Sequence, residues 1–277
     1  PTMDGKMYES PAVQKNLNTI QEFGYYILEP EEGYLASGLE GKGRLPEADL
    51  ILKKCHTILK KSKSEGPLAG KKVVVTAGPT REHIDPVRFI SNPSSGKMGF
   101  AMAEAAEKMG AEVTLIHGPV SLTRPKGINT FEIESTQELF EHIQTHADAD
   151  VIIMAAAVSD FTPEESFNQK IKKDKADSSI KLKHTPDILA WLGNQKKDGQ
   201  VLIGFAMETE NLLENAQDKR KRKKADWIVA NSLVENDSGF ESDKNKVHLL
   251  GKNEAMQIEG LKSEVARQIL SHIFKES

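Results

Sequence analysis

From Lys72 onward, short runs of β-branched and aliphatic residues alternate with stretches whose apolar residues recur every three or four positions. No other feature restricts the chain so strongly. Strands separated by helices cannot close as hairpins, so they pair in parallel, and a parallel sheet is covered on both faces. Val73–Thr76, Glu112–Ile116, Asn129–Ile133, Val151–Ala156, Val201–Phe205 and Trp227–Ala230 read as strands. Lys97–Met109 reads as a helix stopped by Gly110, Thr136–His146 as one capped by Ser135 or Thr136, then Glu210–Lys223 and a closing helix Leu261–Phe274. Asn245–Leu250 and Glu254–Ile258 read as a small polar hairpin. Val151–Val158 is the longest unbroken apolar run, which places its strand at the centre, and it is far short of the ~18–20 residues that span a bilayer. The pattern predicts an α/β chain with a Rossmann-like, doubly wound, mostly parallel sheet.

Residues 1–46 lack that alternation. Glycine and proline punctuate them (Gly24, Pro30, Gly33, Gly38, Gly41, Gly43, Pro46), with one helix predicted over Ala12–Phe23. Ile51, Leu52, Cys55, Ile58 and Leu59 recur at helical spacing, so residues 47–69 read as a helix and a linker before a domain at 70–277. The first residue is Pro1 rather than Met, which reads as a piece cut from something longer. Cys55 is the only cysteine, which excludes an intrachain disulfide framework or a thiolate cluster and predicts a reduced, cytoplasmic setting. No basic start followed by an apolar segment suggests secretion. Lys and Arg number 37 against 41 acidic residues, and the net charge of −4 speaks against a dedicated nucleic-acid binder. The lysine clusters of the second half therefore need another explanation.

In an open α/β sheet, ligands sit beyond the carboxyl ends of the strands, where the strand order reverses. Gly78–Gly96 is long for a strand-to-helix connection, and long loops are usually functional. It ends Ser94-Ser95-Gly96-Lys97-Met98-Gly99 at a helix start, a place for either an anion or a simple cap. It matches neither a Walker A loop nor a complete G-x-G-x-x-G fingerprint. Ala155-Ala156-Ala157 would let a flat group approach the backbone, or a helix pack tightly on the sheet. Asp160 beyond them reads as a ligand for a sugar hydroxyl or a magnesium ion, or as a turn cap. Lys170 and Lys172 share one face of an extended segment within Lys170–Lys173, with Lys175, Lys181 and Lys183 close behind; that face suits a polyphosphate or is ordinary solvated charge. Lys219–Lys224 ends a helix. It reads as a nucleic-acid patch or as charge favourable at a helix C-terminus, and Lys219 and Lys223 share a face that suits a phosphate.

The ordered motifs Gly78-Pro79-Thr80-Arg81-Glu82, Asp85–Asn92, Ser94–Gly99, Ala155–Asp160, Lys170–Lys173, His184–Leu189 and Gly204–Thr209 resemble those of phosphopantothenoylcysteine synthetase, over about residues 70–275. Residues 1–46 resemble the tail of the flavin-dependent phosphopantothenoylcysteine decarboxylase. Asp4, Tyr8 and Ser37 stand where that family commonly carries Asn, Trp and a proton-donating Cys. The resemblance implies a CTP-dependent ligase of coenzyme A biosynthesis that joins 4′-phosphopantothenate to L-cysteine through an acyl-cytidylate. It implies Mg2+ with the triphosphate and Asp160 as its ligand. FMN is implied only for a decarboxylase half outside this chain, so decarboxylation is not expected of the chain alone. Carried over by position, Asn92, Arg88 and Lys170 would be catalytic. Met154, Ala155, Ala156, Asp160, Lys170, Pro186, Asp187, Ile188, Leu189, Phe205, Lys219 and Lys223 would hold the nucleotide. A homodimer or larger assembly is implied, with neither nucleic acid nor membrane as partner. The competing readings are a nicotinamide-binding reductase or regulatory module on the same sheet, and an inactive fragment that holds an assembly together.

Overall fold

The computed structural model describes residues 2–64, 66–172, 179–208, 210–232 and 242–275. Lys173, Lys175 and Thr209, named in the motifs above, and Glu65 of the linker lie outside them. The chain divides into two compact units, Pro1–Ser62 and Lys63–Ser277.

The first unit holds α1 (Gly5–Tyr8), α2 (Pro11–Glu22), an antiparallel pair β1 (Glu31–Tyr34) and β2 (Glu40–Arg44), and most of α3 (Ala48–Ser64). Asp4 caps α1 by accepting from the Lys6 amide at 3.1 Å, and the Ser37 hydroxyl donates to its other oxygen at 2.7 Å. Among the described residues of this unit Tyr8 is the buried hydrophobic side chain, while Phe23, Tyr25, Tyr26 and Tyr34 are exposed.

The second unit is built on an eight-stranded sheet. Its strands are β3 (Lys72–Ala77), β6 (Glu112–His117), β7 (Asn129–Glu132), β8 (Val151–Met154), β11 (Val201–Glu208), β12 (Trp227–Ser232), β13 (Lys244–Leu250) and β14 (Ala255–Leu261), in the spatial order β14-β13-β12-β11-β8-β3-β6-β7. All pairs from β12 to β7 are parallel, and β13 and β14 extend the sheet antiparallel. The predicted polar hairpin is thus part of the main sheet. The six parallel strands follow the doubly wound order in which the chain runs outward from β3 and then restarts at β8 on its other side. The crevice between β3 and β8 is the switch point.

Alternation along the strands feeds two cores. Val73, Val75, Ala77, Val151 and Ile153 face α4 (Lys97–Lys108) and α8 (Lys262–Ile273). Val74, Ile152, Met154 and Leu202 face α5 (Thr136–Thr145), α6 (Ile188–Gln195) and α7 (Leu212–Arg222). Two short pairs lie outside the sheet: β4 (Arg81–His83) with β5 (Phe89–Ser91), and β9 (Phe161–Pro163) with β10 (Leu182–His184). No described helix is long and apolar enough to cross a membrane.

Candidate functional site

The loops after β3, β8 and β11 meet above the switch point around a cavity of about 530 Å³. Its walls are residues 92–99, Ala155–Val158 with Asp160, Phe205–Met207, Lys219, Asn231, Asn245 and Lys262. The loop after β3 is anchored by side chains rather than left open. The Thr80 hydroxyl accepts from the Ser159 amide at 3.0 Å and lies 3.1 Å from the Thr136 hydroxyl, which donates to buried Glu82 at 2.7 Å. The Ala157 amide donates to the Gly78 carbonyl at 2.9 Å, so the alanine run after β8 is held as a floor beside the loop after β3. Small side chains there leave the backbone accessible to a flat ligand.

Gly96 sets the entry to α4. It is the N-cap residue with φ +75°, a backbone conformation that glycine adopts without strain. Three residues on, a Cβ at Gly99 would stand 2.5 Å from the Ala77 Cβ, so this glycine lets α4 sit directly on β3 and brings its first turn to the cavity.

Of the residues expected from the sequence, the cavity gathers Asn92, Ala155, Ala156, Asp160, Phe205 and Lys219. Asn92 donates through Nδ2 to the Val158 carbonyl at 2.9 Å, and Lys219 Nζ donates to the Phe205 carbonyl at 2.9 Å. The other expected residues are placed elsewhere. The Met154 and Ile188 side chains belong to the core, and Leu189 packs against it. Asp187 caps α6, accepting from the Ala190 amide at 3.0 Å, and pairs with Lys223. Against the opposing effect of its partial burial, that lysine and the capped amide hold the Asp187 carboxyl below its ordinary range. Arg88 is bound to Asp85, whose carboxylate also accepts from the Val87, Arg88 and Ile171 amides. The Arg88 guanidinium first, and those amides after it, hold Asp85 well below the usual carboxylate range. Arg88 Nη2 further donates to the Ile171 carbonyl at 3.1 Å, so the pair clamps both sides of residue 171. Lys170 beside it is exposed and does not line the cavity, and neither does Pro186.

Among the cavity residues that the sequence did not mark as site members are Lys97, Asn231, Asn245 and Lys262. Lys97 lay inside a quoted motif and could have been found there. The others sit on β12, β13 and at the start of α8, where nothing local marks them. Asn231 Oδ1 is buried and has no hydrogen-bond partner among the described residues, an acceptor awaiting an N–H or O–H. No group of three or more His, Cys, Asp or Glu side chains among the described residues is arranged to hold a metal ion.

Fold and cavity together define a Rossmann-like binding unit with a cationic, small-residue-floored crevice at its switch point. The chain belongs to the DNA/pantothenate metabolism flavoprotein C-terminal domain family, whose model matches residues 68–276, and a flavoprotein model matches residues 1–60. It is 47% identical over 255 residues to the coenzyme A biosynthesis bifunctional protein CoaBC of Bacillus subtilis, covering 91% of this chain and 62% of that protein. It thus spans less than two thirds of that relative's length. It is 45% identical to a cysteine/cysteine sulfinic acid decarboxylase from an unknown prokaryotic organism, covering 99% of this chain and 77% of that one. Among solved structures, the C-terminal domain of a CoaBC protein superposes with a TM-score of 0.64 at 42% identity, covering 76% of this chain and 97% of that one. A mutant of Cab2 in complex with phosphopantothenate-cysteine gives a TM-score of 0.61 at 16% identity, covering 82% and 93%, and shows the fold alone.

These matches correct the expectation of a CTP-dependent ligase half trailing a decarboxylase remnant. Both family models that match are flavoprotein models, one of them at residues 1–60 of this chain itself. The expectation that the chain does not decarboxylate is overturned by the relative named as a decarboxylase, which matches 99% of it. CTP and Mg2+ as its cofactors have no support in the matched names, whereas a flavin does. Coenzyme A biosynthesis, as expected, is the role printed for the bifunctional relatives.

Proposed function

We propose that the chain works in coenzyme A biosynthesis, within a flavoprotein that decarboxylates a cysteine conjugate of phosphopantothenate, and that the switch-point cavity holds that conjugate. The observation that carries this reading is the cavity's lining: three lysines against one aspartate, an alanine floor and an unsatisfied amide oxygen. The conjugate has complementary parts. Its phosphate suits the lysines, and its amide N–H groups suit the Asn231 oxygen. Its slender chain suits the alanine floor. The names of the relatives supply the pathway and the reaction class, and the conjugate is the molecule bound in the Cab2 structure.

A flavin, when bound, supplies a two-electron acceptor for such chemistry. It needs apolar walls for a flat ring and donors for a phosphate. Residues 1–62, which include the stretch 1–60 that the flavoprotein model matches, bury one hydrophobic side chain among those described and leave four aromatic rings exposed. They do not by themselves enclose a flavin ring, and the flavin is not assigned to them.

Two measurements test the reading, the first on the intact chain. Calorimetry with the phosphopantothenate–cysteine conjugate should show binding that weakens about tenfold or more in Lys219→Ala, the loss expected for one charge-assisted contact. Absence of binding to folded protein refutes the assignment of the cavity. Carbon dioxide release from the conjugate by the flavin-loaded flavoprotein that contains this chain tests the reaction class, and a loaded sample that releases none refutes it.

A further inference from the structure

A second cavity of about 530 Å³ lies at the β7 edge of the sheet, with the Phe131 ring on one side and the last turns of α5 on the other. Its titratable lining is Glu132, Glu138, Glu141, His142 and His146, with no lysine or arginine among them. His142 and His146 stand four residues apart, one above the other on a single helix face. Both imidazoles pack on the Phe131 ring, with centroids 5.0 and 5.6 Å from it, so one aromatic surface orients the two rings.

The tautomer of His146 follows from its contacts. Its Nδ1 lies 2.8 Å from the His142 carbonyl oxygen, which can only accept, so Nδ1 carries the proton. The Thr145 hydroxyl donates to that same carbonyl at 2.8 Å and supports the ring from 2.9 Å. In the neutral ring Nε2 is then a bare lone pair, and a backbone carbonyl on Nδ1–H is the arrangement that orients a histidine for metal ligation. The ring nitrogens of His142 have no hydrogen-bond partner among the described residues. Both histidines sit at the C-terminal end of α5, the negative end of its dipole, which favours a cation. The glutamates are engaged, Glu132 with Arg124 at 2.6 Å, Glu138 with the Glu134 amide at 2.7 Å and Glu141 with the Gln137 side chain at 2.9 Å. They lend negative charge to the cavity without ligating, which agrees with the lack of a three-ligand cluster among the described residues.

We infer that His142 and His146 bind one divalent transition-metal ion, through Nε2 of His146 and a ring nitrogen of His142, with water completing its coordination. Imidazole suits zinc, nickel and copper, whereas magnesium and calcium demand oxygen ligands. The residue after His142 is Ile143, fully buried in the core, so the spacing lacks the glutamate base of the zinc-protease helix motif. The ion therefore locks the last turn of α5 and activates no water.

The test is a titration of the full chain with Zn2+ and with Ni2+, read by calorimetry and by melting, with Mg2+ as the control. Wild type should take up one Zn2+ or Ni2+ at this site, and its melting temperature should climb with either ion but not with Mg2+. His142→Ala and His146→Ala should each weaken the ion about tenfold or more, at least the cost of losing an outer partner of a metal ligand. Cys55→Ser, which removes the chain's one thiol, should bind as wild type. Failure of wild type to bind either ion overturns the inference, as does equal binding of Mg2+. Undiminished binding in either histidine variant, or loss of the ion in Cys55→Ser, overturns it too. Should an alanine variant not fold, His142→Gln and His146→Gln, which keep bulk against Phe131, decide in its place.

Discussion

Replacing Gly99 by alanine sets two opposing effects against each other at the point where α4 meets the sheet. Inside a helix, alanine is favoured over glycine by about 0.8–1.0 kcal/mol. The added Cβ, however, would lie 2.5 Å from the Ala77 Cβ, 2.9 Å from the Thr76 carbonyl oxygen and 3.0 Å from the Ala77 Cα. Two of these atoms are backbone of β3, which is paired on both sides, to β6 and β8. The strand cannot yield, so α4 must lift. Overpacking of this kind typically costs about 1–3 kcal/mol, and three contacts at or below 3.0 Å place this site at or above the upper end. The net expectation is a loss of about 2 kcal/mol, or a melting temperature lower by about 4–8 °C for a unit of this size. Since the first turn of α4 forms a wall of the cavity, affinity for the conjugate should fall as well. Calorimetric melting and ligand titration of the same sample would check both. An alanine variant that melts at or above wild type would show that helix propensity, not contact with β3, governs this position, and would refute the account of how α4 is seated.

Three further outcomes are expected. Asp85→Asn should release the clamp on Ile171 at neutral pH, seen as faster amide exchange at Ile171 than in wild type. Because the native Asp85 carboxyl lies below its unfolded value of about 3.9, its stabilisation is complete above that value and fades as pH falls through the native one. The variant should accordingly show a shallower stability loss on the acid limb, and an unchanged limb would refute the clamp. Asp187→Ala removes the α6 cap and should lower stability by about 1 kcal/mol, some 2–4 °C in a melt, with little change in conjugate affinity. Lys262→Met should match or exceed wild type in melting temperature at pH 7. Wild type regains stability as pH rises through the depressed native value toward about 10.4, so the difference should shrink on that path.

The strands and helices of the second unit were legible because their periods differ. Val73–Thr76 and Val151–Met154 carry consecutive aliphatic residues that only a strand covered on both faces can bury, and Thr136–Thr145 places Leu139 and Ile143 on one helical face. The β4–β5 pair was not legible within the long loop after β3. Its strands are three residues each, and their register depends on Thr80 and Glu82 finding Thr136, more than 50 residues away. Helix α6 carried a start signal in Asp187 before Ile188, Leu189 and Leu192, but the resemblance pointed to a nucleotide contact at Asp187, Ile188 and Leu189 instead of a helix. Arg88 and Lys170 looked alike as loop cations, and only the buried carboxylate of Asp85 sets them apart. The cavity's floor was only half readable from Ala155–Ala157, since a run of small residues after a central strand serves tight helix–sheet packing equally well. Its cationic wall was not, because Lys262 is indistinguishable in sequence from a lysine on a solvated helix start.

The same contrast shows where the fold gives ground to the site. A doubly wound sheet opens a crevice at its switch point without any help from side chains, because the connections after β3 and β8 leave in opposite directions. What the crevice binds depends on residues that oppose stability in its absence. Gly96 and Gly99 forgo side-chain packing so that α4 presents its amides, Lys97 and Lys262 stand at the unfavourable ends of their helices, and Asn231 buries an acceptor with no partner among the described residues. Local preferences also run against the fold at Asn211 and Lys224, which are left-handed without being glycine, but the five positions named here share one cavity. Such sharing is expected of a ligand site. A ligand held in the cavity would offset these costs, so its occupancy should raise the melting temperature of the second unit.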